Sequence, residues 1–205
     1  IELTKQAHKD GADASLQVTP YYNKPTQEGL YLHIKAIADS ADMPIILYNV
    51  PGRSAISLDI DTIVRMNTIP QVVAVKEAGG CVDRISQIKQ ACDIQIVSGD
   101  DSLTLPMMSV GASGVISVLS NILPAEMTEL CRLANAGQFS QALEIHQKYY
   151  KLMNDMFIES NPIPVKTMMA TLGYGTETFR LPLCPITEQA RAVLYSSAKN
   201  AGVKF

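Results

Sequence analysis

The sequence predicts an α/β fold built on a parallel sheet, and three observations carry that prediction. Short apolar runs recur at intervals of about 20 to 30 residues, with a helical pattern between them. One of them, Val72-Val73-Ala74-Val75-Lys76-Glu77, is a nearly continuous apolar run rich in valine, as in strands buried on both faces. Prolines and glycines fall at the junctions, at Pro20, Pro44, Pro51-Gly52, Pro70, Gly99 and Gly111.

In chain order, residues 1–10 read as the end of a helix closed by Gly11. Residues 14–19 read as a strand, and Pro20-Tyr21-Tyr22-Asn23-Lys24-Pro25 as a loop stiffened by two prolines. A helix is expected from Thr26 to Ala41, with Leu30, Ile34, Ile37 and Ala38 on one stripe. The strand Ile45–Asn49 leads into the loop Val50-Pro51-Gly52-Arg53. Ser57 is expected to cap the next helix, with Asp59 and Asp61 in its first turn. After the Lys76 strand come a helix over Asp83–Ala91, a strand over Ile94–Val97, a short helix to about Val110 and a fifth strand over Gly114–Val118. From there four helices follow without a strand: Pro124–Ala136, Phe139–Ile158, Pro162–Leu172 and Glu188–Ala201. A boundary is drawn near residue 137, with 1–137 as the α/β part and 138–205 as the last helical region and a helical extension.

Composition narrows the function. Hydrophobic residues make up 47% of the chain and charged residues 18%, an ordinary globular balance. Net charge is −3 with no basic cluster, which speaks against nucleic acid and anionic membrane surfaces as partners. No apolar run approaches membrane-spanning length, and no basic leader with an apolar segment opens the chain. Cys81, Cys92, Cys131 and Cys184 are widely spaced, so neither a metal site nor a disulfide framework is expected, and thiols of this kind fit the cytoplasm. His8, His33 and His146 have no second ligand at helical spacing. The chain opens Ile1-Glu2-Leu3-Thr4-Lys5 in a helical pattern without an initiator methionine, as a part of a longer chain would.

Lys76 is the residue around which the chemistry gathers. Alternation along the strand puts it on the face of Ala74 and Val72, with Val73, Val75 and Glu77 opposite. A desolvated amine there loses its proton readily and attacks carbonyls. The same lysine, taken alone, better fits a side chain that reaches solvent or pairs with Glu77.

Two motifs extend the reading. Tyr48-Asn49-Val50-Pro51-Gly52-Arg53 followed by Val75-Lys76-Glu77-Ala78 resembles the class I pyruvate-dependent aldolases of the dihydrodipicolinate synthase family. Thr19-Pro20-Tyr21-Tyr22-Asn23-Lys24-Pro25, Ser98-Gly99-Asp100-Asp101, Gly114-Val115-Ile116-Ser117-Val118 and Asn161-Pro162-Ile163-Pro164-Val165-Lys166 are similar to the same family, in the right order along the whole chain. The resemblance implies a (β/α)8 TIM barrel with a C-terminal helical extension, the five strands being its fourth to eighth. The first three βα units, with their Gly-Thr-Thr-Gly-Glu motif, have no counterpart here, so the match covers about seventy per cent of a barrel of this kind. If the sequence is complete as given, it is expected not to close a barrel alone and to have little activity by itself.

The resemblance also implies roles. Lys76 would be the Schiff-base lysine, Tyr48 the central proton-transfer phenol, and Tyr22 a residue reaching across a dimer interface to complete a tyrosine–threonine–tyrosine relay. The threonine of that relay has no counterpart in this sequence. Tyr21 would stack at the interface near a regulatory lysine site. Arg53 would hold the carboxylate of aspartate semialdehyde, and Gly99 and Ile116 would line the site with main chain. Asp100 and Asp101 are expected to cap the following helix, and Asn161–Pro164 to fix a turn. The implied reaction condenses pyruvate with aspartate semialdehyde to 4-hydroxy-tetrahydrodipicolinate, in diaminopimelate and lysine biosynthesis. It needs no metal or organic cofactor, and the implied assembly is a homotetramer, a dimer of dimers. Alternatives are another pyruvate-dependent aldolase, such as an N-acetylneuraminate or keto-deoxy sugar acid lyase, against which Arg53 argues, and an inactive barrel module that acts by binding.

Overall fold

The computed structural model describes residues 1–205 and divides into two compact units, Ile1–Ile116 and Ser117–Phe205. The division falls where the sheet ends, ahead of the expected boundary near residue 137.

The first unit is α/β. Its elements are α1 (Glu2–Lys9), β1 (Ser15–Val18), α2 (Gln27–Ala38), β2 (Ile45–Asn49), α3 (Pro51–Ser54), α4 (Ile60–Met66), β3 (Val72–Glu77), α5 (Asp83–Ala91), β4 (Gln95–Ser98), α6 (Thr104–Ser109) and β5 (Gly114–Val115). All strand pairs are parallel and the order is β1-β2-β3-β4-β5. Each strand therefore neighbours the next in sequence, as in the wall of a (β/α) barrel and unlike a doubly wound sheet, whose order reverses at a switch point.

Local chemistry accounts for the elements. Thr26 caps α2, its hydroxyl accepting from Gly29 N at 3.2 Å, and α2 buries Leu30, Ile34, Ile37 and Ala38 against the sheet side. Ile45 and Leu47 of β2 are buried, as is Val75 of β3, and α5 contributes Ile85 and Ile88 to the core. No helix is long and apolar enough to cross a membrane.

Four local expectations are corrected. Ser57 does not cap α4; Asp59 holds that position, and Ser57 Oγ donates to Asn49 Oδ1 at 3.2 Å instead. Pro51–Ser54, read as loop, forms the short helix α3, with Pro51 supplying the preset φ of a first turn. The fifth strand stops at Val115, because Ser117 turns the chain by accepting from Ser120 N at 2.8 Å. The register between β2 and β3 shifts from Ile45↔Val72 to Ile46↔Ala74, so Val72 lies with Ile45 and not on the face of Lys76.

The second unit is helical: α7 (Pro124–Asn135), α8 (Phe139–Asp155), α9 (Ile163–Thr171) and α10 (Glu188–Asn200). α7 and α10 both pack on α8, burying Leu130, Leu152, Met153 and Leu194. Gly137 and Gly173 follow α7 and α9 with φ of +74° and +87°, the left-handed geometry that glycine adopts without a Cβ penalty. Arg191 grips Glu177 in a two-pronged ion pair at 2.8 and 3.0 Å, and Thr167 Oγ1 donates to the same carboxylate at 2.9 Å.

Candidate active site

The strand register sets Val18, Tyr48, Lys76, Val97 and Gly114 in one row across the sheet. Tyr48 and Lys76 are direct cross-strand neighbours, and Lys76 Nζ stands 4.3 Å from the centre of the Tyr48 ring. Lys76 is only 9% exposed. Burial pushes its amine below the ordinary value of 10.5; Asp100 and Asp101 pull it partly back, and the positive charge of Arg53 lowers it further. An ammonium over a tyrosine ring is stabilised electrostatically, so this contact opposes the effect of burial on the charged form. The Tyr48 phenol is pushed up, first by burial, with Arg53 lowering it and Asp100 raising it. The pair thus holds the two forms that carbonyl addition asks for, a readily freed amine and a phenol that keeps its proton.

Gly99 lets this amine lie flat against the main chain. Its N–H donates to Glu77 O at 2.7 Å, which draws it beside β3. A Cβ built there would stand 3.0 Å from Lys76 Cε and 2.5 Å from Ala78 Cβ. Only glycine leaves that space to the lysine stem.

Arg53 projects from α3, which starts immediately after β2 and ends at Ala55 in the left-handed region. Its charge acts on both Lys76 and Tyr48. Asp100, expected as a helix cap, instead acts on the same two groups with opposite sign. Its side chain caps nothing, and its carboxyl is raised by burial and by neighbouring Asp101 and Glu77. Ser98 Oγ fixes this turn, donating to Asp100 O at 2.8 Å and accepting from Asp100 N at 3.1 Å.

Glu77 does not pair with Lys76. It faces the other side of the sheet, fully buried, and accepts from Asn49 Nδ2 at 2.8 and 3.0 Å, Arg84 Nε at 2.9 Å and Gly79 N at 2.8 Å. Arg84 Nη2 also donates to Leu58 O. Sequence reasoning missed Asn49 and Arg84 here, for nothing in one-dimensional spacing joins residues 28 and 26 positions apart.

The remaining residues lie elsewhere. Tyr22 follows β1 with φ of +69° and is 91% exposed, and Tyr21 beside it is 70% exposed. The structure therefore brings Lys76, Tyr48, Arg53, Gly99 and Asp100 together but leaves Tyr21 and Tyr22 in solvent. Ile116 sits one position beyond β5, its N–H donating to Ser98 O at 3.0 Å, with 37% of its surface exposed.

Known proteins share this fold. The chain is 48% identical to the 4-hydroxy-tetrahydrodipicolinate synthase of Nitratidesulfovibrio vulgaris (strain DP4), over 99% of this chain and 70% of that protein. It superposes with a TM-score of 0.96 on the 4-hydroxy-tetrahydrodipicolinate synthase of Methylacidiphilum fumariolicum SolV, at 45% identity over 98% of this chain and 68% of that one. The dihydrodipicolinate synthase of Acinetobacter baumannii, solved in complex with pyruvate, gives a TM-score of 0.96 at 48% identity over 99% of this chain and 70% of that one. The sequence model of the dihydrodipicolinate synthetase family matches residues 1–201. With its parallel strand order, its lysine–tyrosine row and these matches, the chain belongs to the dihydrodipicolinate synthetase family.

Proposed function

We propose that this protein is a lyase that condenses pyruvate with aspartate semialdehyde through an imine on Lys76. The observation that carries the proposal is the buried Lys76 beside the Tyr48 phenol in one row of the sheet. The neutral amine attacks the pyruvate ketone carbon. Tyr48 gives a proton to the departing hydroxyl, and water leaves as the imine forms. Loss of a proton from the methyl carbon gives an enamine, the imine nitrogen serving as electron sink, so no metal or organic cofactor is required. The enamine carbon then adds to the aldehyde carbon of the semialdehyde, and the resulting alkoxide takes a proton. Finally the amino group of the semialdehyde adds to the imine carbon. This closes the ring, expels Lys76 as the free amine and releases 4-hydroxy-tetrahydrodipicolinate for lysine biosynthesis.

Arg53 suits the carboxylate of the incoming semialdehyde, since a guanidinium offers two parallel donors and a lone ammonium does not. Gly99 and Ile116 contribute main chain at the ends of β4 and β5. Tyr22 acts from a second copy, as a tyrosine held 91% in solvent on a left-handed turn suits a residue that inserts into a neighbour. Tyr21 packs at the same interface, in a homotetramer made of two such dimers, and the compartment is the cytoplasm. Borohydride reduction in the presence of pyruvate tests the central step. A covalent adduct on Lys76 is expected, and retention of the unmodified lysine in folded protein would overturn the proposal. Arg53→Ala should raise the KM for the aldehyde and leave that adduct intact.

A further inference from the structure

Asn49 and Glu77 immediately follow Tyr48 and Lys76 on their strands and face each other in the next row. Side chains alternate along a strand, so this second pair lies behind the sheet from the reacting pair. Both residues are fully buried. A buried carboxylate is tolerated only when its oxygens are filled, which here leaves the network one arrangement.

What the network holds is the stretch after Arg53. Asn49 Oδ1 accepts from Leu58 N at 3.0 Å and from Ser57 Oγ at 3.2 Å. Arg84, anchored on Glu77, donates to Leu58 O. Both backbone groups of Leu58 are therefore gripped by residues that are themselves joined through Glu77. The chain from Asn49 to Leu58 is a closed loop with α3 and Arg53 inside it. Lys76 and Tyr48 are held differently, by the ladder of β2, β3 and β4.

We propose that Glu77, Arg84 and Asn49 are positioning residues: a buried clamp behind the sheet that sets the Arg53 loop against the Lys76–Tyr48 pair. The inference rests on the aldolase reading above, in which Arg53 binds the second substrate. It assigns the clamp to semialdehyde binding and not to imine formation.

Arg84→Lys is the test, because a lysine reaches Glu77 or Leu58 O but cannot fork to both. Loosening a binding group by a fraction of an ångström should raise the KM for aspartate semialdehyde about 5- to 20-fold, within the roughly 10²-fold effect of a 1 Å misplacement. The rate of borohydride-trapped pyruvate adduct formation should change less than about twofold, since the strand ladder, not Arg84, positions Lys76. In an Arg53→Ala background, Arg84→Lys should add nothing further to that KM, the non-additivity of two residues that act as a unit. A merely stabilising network would instead lower the melting temperature and the active fraction, with the KM unmoved; that result overturns the inference, as does an equal loss of trapping. Should Arg84→Lys not fold, Ser57→Ala removes one grip only and is expected to raise the same KM about twofold; an unchanged KM there overturns the inference too. A wild-type protein that forms no pyruvate adduct refutes the aldolase reading itself, before any variant is compared.

Discussion

Gly99→Ala perturbs the site through one added methyl. The new carbon would stand 2.5 Å from Ala78 Cβ, 3.0 Å from Lys76 Cε and 3.2 Å from Glu77 O. Real carbon contacts lie near 3.5–4.0 Å. Ala78 and the Glu77 carbonyl belong to the β3 end and its turn, and Gly99 N is tied to that carbonyl at 2.7 Å. Neither neighbour can step aside, so the flexible lysine stem gives way first and the backbone takes the remainder. Overpacking of this kind costs about 1–3 kcal/mol, which for a protein of this size lowers the melting temperature by roughly 2–12 °C. The amine, displaced by some part of an ångström, should form the pyruvate imine up to about 10²-fold more slowly. Trapping rates measured well below the melting temperature separate the two effects. A variant that loses stability but traps pyruvate at the wild-type rate would refute the assigned role of Gly99 as the space for Lys76.

Other outcomes follow from the same geometry. Asp100→Asn removes the carboxylate that holds the Lys76 amine up and should move the pH profile of imine formation to lower pH, whereas Arg53→Ala removes a cation that pushes it down and should move the profile to higher pH; shifts of the same sign would contradict the electrostatic account. Because Lys76 in the folded protein titrates below 10.5, the unfolded state binds more protons just beneath that value, and the lysine's contribution to stability should grow as pH rises through that window, a slope absent in Lys76→Met. Tyr48→Phe should keep the fold and lower kcat by about 10²- to 10⁴-fold, the usual weight of a positioned proton donor; near-normal turnover would remove Tyr48 from the proton path. Refolding Tyr22→Ala together with Lys76→Ala in equal amounts should restore about a quarter of wild-type activity, since about half of the dimers are mixed and each mixed dimer carries one complete site of its two across a two-fold interface. No recovery would mean that Tyr22 serves its own protomer or none.

Much of the fold was legible because the physics of strands is local. The valine-rich run at 72–77 and the isoleucine-rich one at 45–49 announce buried strands, and their even spacing with helices announces a parallel sheet. The errors arise where a polar side chain takes a partner that its local pattern does not announce. Ser57 has every local mark of a cap, but Asn49 Oδ1 competes for it. Ser117 reads as strand until its hydroxyl accepts from Ser120 N. Asp100 has the sequence of a cap and the surroundings of a site carboxylate. For the site, Lys76 alone supported two readings, and its closeness to Tyr48 depends on a register that includes a skipped residue, Val73. The Glu77–Arg84–Asn49 clamp leaves no periodic mark, because three different elements supply it.

The most direct measurement is peptide mapping of the protein after borohydride reduction with pyruvate. The expected result is one modified peptide, carrying the added pyruvate carbons on Lys76 and absent from Lys76→Met. An adduct on a different lysine, or equal labelling of the Lys76→Met variant, would contradict the assignment of the buried strand-end amine as the nucleophile.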